Sequence, residues 1–230
     1  MKKIYTAFTI IIMIAFTSCR KEIDFLSNSG TNNSGSNNSN CKACAYSPYC
    51  DGSTYIYYDT IMGAAQTTLT ETLRFQKDTL FDGRTYHKFT TGDPMPVYTN
   101  CINGITRIAV FNAAATGGTV EKFELRMLQE NLAVNGNWND TVTNGFGQIV
   151  IYKNTILEKN VSRSLSGKTF NDVIHLQTFA GVDVLGLGYV ITNRSDYYFA
   201  RGVGLIEALI ASEDGSIVYQ HRMIKEYSIP

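Results

Sequence analysis

Five cysteines are the residues in this chain best placed to do chemistry: Cys19, Cys41, Cys44, Cys50 and Cys101. Cys19 stands apart, directly after an apolar N-terminal stretch. The other four are an even set in a chain whose start reads as an export signal, and that pattern predicts two disulfides. Three of them cluster, so at least one bond should staple the cluster to the segment around Cys101. Four cysteines allow three pairings. The expectation leans to Cys44 or Cys50 with Cys101. The competing chemistry is a tetrahedral zinc site built on Cys41-Lys42-Ala43-Cys44 plus two further thiolates. The long gap between Cys50 and Cys101 argues against so compact a knuckle. A thioredoxin-like pair would need a βαβ setting. Haem attachment would need His after the second cysteine, where the chain has Ala45.

Other catalytic constellations are thin. His87, His175 and His221 lie far apart, each inside a predicted strand, and no pair has metal-ligand spacing. A triad of His175, Asp172 and a serine has no support from spacing. No Gly-x-Ser-x-Gly elbow occurs, and the carboxylates are scattered, so no glycosidase pair stands out. Trp138 with Tyr55, Tyr57, Tyr58, Tyr197 and Tyr198 would make a sugar platform or, more simply, sheet core and cross-strand pairs. Gly202 and Gly204, two apart in Ala-Arg-Gly-Val-Gly-Leu, are expected on one face of a strand. There they would permit a bend, or leave a bare patch for a ligand or another backbone. No cofactor and no enzymatic activity are expected.

The elements that position these residues begin with the export signal. Lys2 and Lys3 form a positive start, and Ile4 to Phe16 is an apolar run too short to span a bilayer permanently. Phe16-Thr17-Ser18-Cys19 resembles the lipobox of bacterial lipoproteins, in the looser form of the Bacteroidota. The resemblance implies a signal peptide over 1–18, acylation at Cys19 and an outer-membrane lipoprotein held by its N-terminal lipid. Each buried lipid methylene contributes about 0.8 kcal/mol, so several acyl chains make a lasting anchor. Lys21-Glu22-Ile23-Asp24 is similar to the Lys-plus-acidic surface-export signals of that group, interrupted by Ile23, and leaves both faces of the outer membrane open.

Residues 27–40 contain only Ser, Asn, Gly and Thr. Nothing there offsets the entropy of ordering, so 19–40 reads as a flexible leash, with the low-complexity part spanning roughly 20 Å. The folded part is expected over 41–230 as a single domain, long enough for a sizeable core. Lysine plus arginine number 20, as do the acidic residues. Loss of Lys2 and Lys3 leaves 18 basic residues, with no excess to attract nucleic acid.

Patterning within 41–230 predicts an all-β fold. Leu69, Leu73 and Phe75 alternate with Thr68, Thr70, Thr72 and Arg74 at period two. Residues 106–111, 148–152, 169–179, 203–211 and 217–227 are rich in β-branched and aromatic types. Asp82-Gly83, Asn103-Gly104, Asn135-Gly136, Asn144-Gly145 and Asp214-Gly215 punctuate the chain as tight-turn dipeptides. Residues 120–133 have some helical character, but Phe123, Leu125 and Met127 alternate with Glu124 and Arg126, which favours a strand. The expected architecture is an antiparallel half-barrel or sandwich-like sheet with few or no helices.

Gly167-Lys-Thr-Phe-Asn-Asp-Val173 and Tyr197-Tyr-Phe-Ala-Arg-Gly-Val-Gly-Leu205, with Asn135-Gly136-Asn137-Trp138 upstream, resemble paired motifs of envelope proteins of unknown function. Families related to these are similar to the lipoprotein-carrier fold, an open half-barrel with a concave apolar face. That resemblance implies a binding or carrier module for an apolar or lipid-like ligand. The alternative is a structural or accessory subunit partnered with other envelope proteins, and a hydrolase ranks last. Asp59-Thr60-Ile61, Asp78-Thr79-Leu80 and Asp140-Thr141-Val142 match the short O-glycosylation sequon of the Bacteroidota, which implies modification at Thr60, Thr79 and Thr141.

Overall fold

The computed structural model describes residues 44–62, 67–81, 83–90, 97–112, 121–143, 148–183 and 188–230. Cys19, Cys41 and the expected leash lie outside the described residues, as does Asn144-Gly145. Among the described residues every regular element is a strand.

Twelve strands follow in chain order: β1 (Thr54–Ile61), β2 (Thr67–Phe81), β3 (Arg84–Thr90), β4 (Val97–Ile102), β5 (Ile105–Asn112), β6 (Glu121–Gln129), β7 (Asn137–Thr143), β8 (Ile149–Leu165), β9 (Lys168–Asp183), β10 (Tyr189–Ala200), β11 (Gly204–Ala211) and β12 (Val218–Ser228). They form one antiparallel sheet in the order β6-β5-β4-β3-β2-β1-β12-β11-β10-β9-β8-β7. Each strand pairs with its chain neighbours, except that the first also pairs with the last and β6 does not ladder with β7. Pairing of β1 with β12 joins two six-stranded meanders, and β6 and β7 become the free edges. The sheet thus curls further than the expected half-barrel, into a nearly closed barrel with one seam.

The predicted segments match β2, β5, β8, β9, β11 and β12, with 148, 203 and 217 falling just ahead of their strands, and the ambiguous 120–133 region supplies strand β6. Period two explains why: Ser53, Tyr55, Tyr57 and Asp59 are buried and alternate with half-buried Thr54, Ile56, Tyr58 and Thr60. Leu73 and Phe75 are buried on the expected face of β2, whereas Leu69, near the strand's start, stays exposed. Asn103-Gly104 makes the tight β4–β5 turn, and Gly83 lies between β2 and β3, while Asp82 is outside the described residues. Asn135-Gly136 does not make a hairpin. It belongs to the connection between the two edge strands, and its backbone bonds to Ile156 of β8 instead.

Two apolar clusters fill the interior. One gathers Tyr55, Tyr57, Leu73, Phe75, Phe89, Ile206 and Ile224 with the β8–β9 residues Leu165, Phe170 and Val173. The other gathers Leu128, Trp138, Ile156, Ile174, Leu176 and Phe199. Residues from both meanders meet in each cluster, so the core lies where the two meanders face each other.

Candidate functional site

The segment Cys44–Cys50 precedes β1 and belongs to no strand. It docks at the barrel end that carries the β2–β3, β4–β5, β8–β9 and β10–β11 turns. Tyr46 packs within the second cluster and Tyr49 against the first, so the segment contributes to both parts of the core. Cys44 is disulfide-bonded to Cys101 at the end of β4, with Cα atoms 6.0 Å apart. Of the two expected partners for Cys101 the structure selects Cys44. Those two sulfurs are therefore committed to a disulfide and not to a shared zinc site. Cys50 is also disulfide-bonded.

Polar groups fix the segment's register. The backbone N–H groups of Ala45 and Tyr46 donate to the Glu130 carboxylate at 3.3 and 3.1 Å. Gly202 N–H donates to the Ala45 carbonyl at 2.7 Å. Thr106 Oγ1 and Ser47 Oγ lie 2.7 Å apart, and Tyr55 Oη donates to the Pro48 carbonyl at 3.2 Å. Tyr46 Oη donates to Asp172 Oδ1, whose other oxygen is bonded by Arg201 Nε. The Arg201 guanidinium also lies 4.8 Å from the Tyr46 ring centroid. Burial and the hydrogen bond to Asp172 push the Tyr46 phenol up to about 12. The same bond, with Arg201, holds the Asp172 carboxyl below its usual range.

These contacts give the two sequence motifs a shared purpose. Asp172 comes from the first motif and Arg201 from the second, and together they clamp Tyr46. The glycines serve the same segment. Gly202 and Gly204 are not two same-face residues of one strand: Gly202 lies in the β10–β11 turn at φ 71°, and Gly204 opens β11 at φ 106°. Both are backbone conformations that favour glycine. A Cβ on Gly204 would sit 2.9 Å from the Tyr49 ring. What lies against the bare glycine is the protein's own tyrosine. Tyr49 Oη also accepts from Leu205 N–H at 3.3 Å, and its ring stacks on Phe75 with centroids 4.8 Å apart. Burial pushes the Tyr49 phenol up to about 12.

Beside this segment, Cys44, Ser47, Tyr49, His87, Thr99, Asn100 and Cys101 line a void of about 10 Å³. That is about the room one water molecule needs. The Asn100 amide is buried, and neither of its polar atoms has a hydrogen-bond partner among the described residues.

Charged networks also lie elsewhere on the sheet. Inside β1, buried Asp59 faces Arg222 of β12 across the ladder and accepts from its Nη2 at 2.7 Å. Arg222 also pairs with Glu71 of β2, and Gln220 donates to Asp59 at 3.0 Å. Burial alone would raise the Asp59 carboxyl, but the Arg222 bonds outweigh it and hold it low. The two carboxylates share one guanidinium, which is a structural arrangement more than an acid–base pair. On β8–β12, His221 and Arg163 both bond Glu207, and His175 and Arg194 both bond Asp196. His175 stacks on Tyr198 at 4.3 Å. His175 therefore meets Asp196, while Asp172 is engaged by Tyr46 and Arg201, so the triad considered from the sequence does not assemble. His87 pairs with Asp78 on the other meander.

Trp138, Tyr55 and Tyr57 are core residues, which removes three members of the supposed sugar platform from the surface. Thr60 is half-buried in β1, with its Oγ1 3.5 Å from Thr68 Oγ1. Thr141 is exposed on edge strand β7. Thr79 lies in β2, and its side chain is outside the described residues. The N-terminal segment itself was not legible as a site. Its only signal was the cysteine cluster, and neither Tyr46 nor Tyr49 has a distinguishing local pattern.

No family model matches the chain, and no curated protein matches it. Two solved structures are similar in fold. One is a candidate lipoprotein from Parabacteroides distasonis, 10% identical with a TM-score of 0.45, the match covering 78% of this chain and 96% of that one. The other is a candidate exported protein with a YmcC-like fold from Bacteroides fragilis, 6% identical with a TM-score of 0.48 and the same coverage.

Proposed function

We propose that the protein is a non-enzymatic lipoprotein of the outer membrane, tethered through Cys19, whose barrel acts as a structural or accessory module for envelope protein partners. The observation that carries this reading is the filled interior. Tyr46 is part of one core cluster, Tyr49 packs against the other, and the adjoining void of about 10 Å³ is water-sized. Pockets for small molecules run to roughly 300–1,000 Å³. A carrier of apolar ligands, the reading implied by family resemblance, needs an interior that the N-terminal segment already takes up.

Native mass spectrometry of the full acylated chain purified from membranes tests the proposal. The expected result is the mass of the chain with its covalent lipid, together with a reproducible envelope protein. Stoichiometric apolar lipid beyond the covalent chains would overturn it in favour of carriage. Cys19→Ser is expected to shift the protein from the membrane to the soluble fraction, and retention in the membrane would refute the tether.

A further inference from the structure

We infer that β7 is a strand-acceptor edge: an extended segment of an envelope protein, carrying a cation with an apolar residue two positions away, adds to it in place of the side chains that β6 now lays against it. This rests on the accessory reading and names the contact that reading needs.

Three observations support it. First, β7 is a weakly guarded edge. It pairs with β8 along its whole length, Asn137 to Thr143, with no shift in register. Natural edge strands are blunted by lysine, proline, a bulge or an inward-pointing charge. β7 has only the last of these, at Asp140. The other edge, β6, carries Lys122 and Arg126, and its pairing with β5 shifts at Thr106/Arg107. Second, the backbone of β7 that does not serve β8 faces the seam. The Asn139 carbonyl accepts from Arg126 Nη2, so it points away from β8. In an antiparallel ladder the N–H and C=O of one residue leave on the same side, and the side alternates along the strand. The N–H and C=O groups of Thr141 and Thr143 therefore face the seam as well, and among the described residues no ladder takes them. The side chains of Asn139, Thr141 and Thr143 are exposed and uncharged.

Third, the inner side of the edge specifies the segment. Buried Trp138, Asp140 and half-buried Val142 alternate along β7 and share that side. The Asp140 side chain is only 12% exposed, and a carboxylate so placed needs a cation, which Arg126 supplies at 2.8 Å. β6 brings a second feature two residues on, Leu128, which packs in the same core cluster as Trp138. An incoming strand has to replace that pair, with a cation for Asp140 and an apolar side chain for Trp138. A second copy of β7 laid antiparallel about Asp140 would set two carboxylates face to face, so charge favours a different chain. Backbone pairing supplies the affinity and the Asp140–Trp138 side supplies the selection, as in other strand-addition complexes.

A labelled peptide of the β6 sequence, Glu121–Gln129, carries both Arg126 and Leu128 and serves as the probe. It is titrated into the full chain in lipid nanodiscs and followed by fluorescence anisotropy. Saturable binding is expected, tightened at least about tenfold when Arg126→Gln in the protein frees Asp140. A peptide carrying Arg126→Glu is expected to bind at least about tenfold more weakly. Thr141→Pro removes a seam-facing N–H and no bond to β8, and should abolish binding while the fold persists. Absence of binding to the Arg126→Gln protein would overturn the inference. Equal binding of the Arg126→Glu peptide, or full binding to the Thr141→Pro protein, would do the same. If either protein variant fails to fold, hydrogen exchange of wild type is read with saturating peptide: the Thr141 amide is expected to slow at least about tenfold, and an unchanged rate would sink the proposal. Failure of these tests while a protein partner still co-purifies would remove the β7 contact and leave the accessory reading standing.

Discussion

Arg126 of β6 and Asp140 of β7 close the barrel where its backbone does not. Arg126 Nε donates to Asp140 Oδ1 at 2.8 Å, and the Arg126 backbone N–H donates to Oδ2 at 3.3 Å. Arg126 Nη2 reaches the Asn139 carbonyl at 2.6 Å. Trp138 Nε1 is within bonding distance of both Asp140 Oδ2 and the Arg126 carbonyl, at 3.1 and 3.2 Å. Side chains thus do at this seam what a ladder does between every other pair of neighbours. Asp140→Ala removes an acceptor shared by three donors. The expected cost is about 1–2 kcal/mol, held down by the partial exposure of Arg126. Urea denaturation measures it, and an unchanged midpoint would show that the seam contributes nothing.

Trp138→Ala should cost more, about 3–5 kcal/mol, because it empties a buried site as well as removing the seam's indole donor. Comparison of its midpoint with that of Asp140→Ala separates packing from hydrogen bonding. Equal losses would mean that the ring's burial is unimportant.

Gly204→Ala is expected to destabilise the barrel through two effects, the positive φ and the contact with Tyr49. A double-mutant cycle with Tyr49→Ala distinguishes them. Removal of the ring should relieve the steric part and leave the backbone part, so the combined loss should be smaller than the sum. Strict additivity would place Tyr49 away from Gly204 in solution.

Acid should destabilise the fold. The carboxyls of Asp59, Asp172, Asp196 and Glu207 are all held below their ordinary values. For Asp59, Asp196 and Glu207 burial pushes upward, but hydrogen bonds from Arg222, His175 and His221 outweigh it. A depressed folded-state pKa contributes stability above the unfolded value, about 4, and the contribution is lost as pH falls through the folded value. Melting temperature should therefore be level near neutrality and drop below about pH 4. A flat profile down to pH 2 would contradict the networks. Alkali acts in the opposite sense on the N-terminal segment. Tyr46 and Tyr49 are raised to about 12, so their contribution is intact below the ordinary tyrosine value and fades as pH climbs towards 12.

The disulfide encloses a sequence separation of 57 residues. Loop-entropy arguments assign such a crosslink about 4 kcal/mol. A non-reducing peptide map should join the Cys44 and Cys101 peptides. Free thiols at both positions in protein purified without reductant would refute the pairing.

By itself the sequence determined the strands, because burial on one face of a sheet demands period two and that period is local. Leu73 and Phe75 alternate with threonines, and Asp82-Gly83 and Asn103-Gly104 mark turns, whatever the rest of the chain does. For Cys101 it favoured Cys44 or Cys50 and left three pairings open. Only the tertiary structure decided how far the sheet curls. That depends on β1 meeting β12 and on Arg126 reaching Asp140 from another strand, and neither leaves a local pattern. The same holds for Asn135-Gly136, a turn dipeptide whose backbone is claimed by Ile156. The site was hidden for a related reason. Tyr46 and Tyr49 look ordinary in sequence, and the roles of Asp172, Arg201 and Gly204, each marked there for another reason, come from converging on a segment with no strand of its own. Whether an interior is open or filled depends on packing across the whole barrel. The sequence specified a β domain with cysteines at its start, and the fold turned that start into the barrel's occupant.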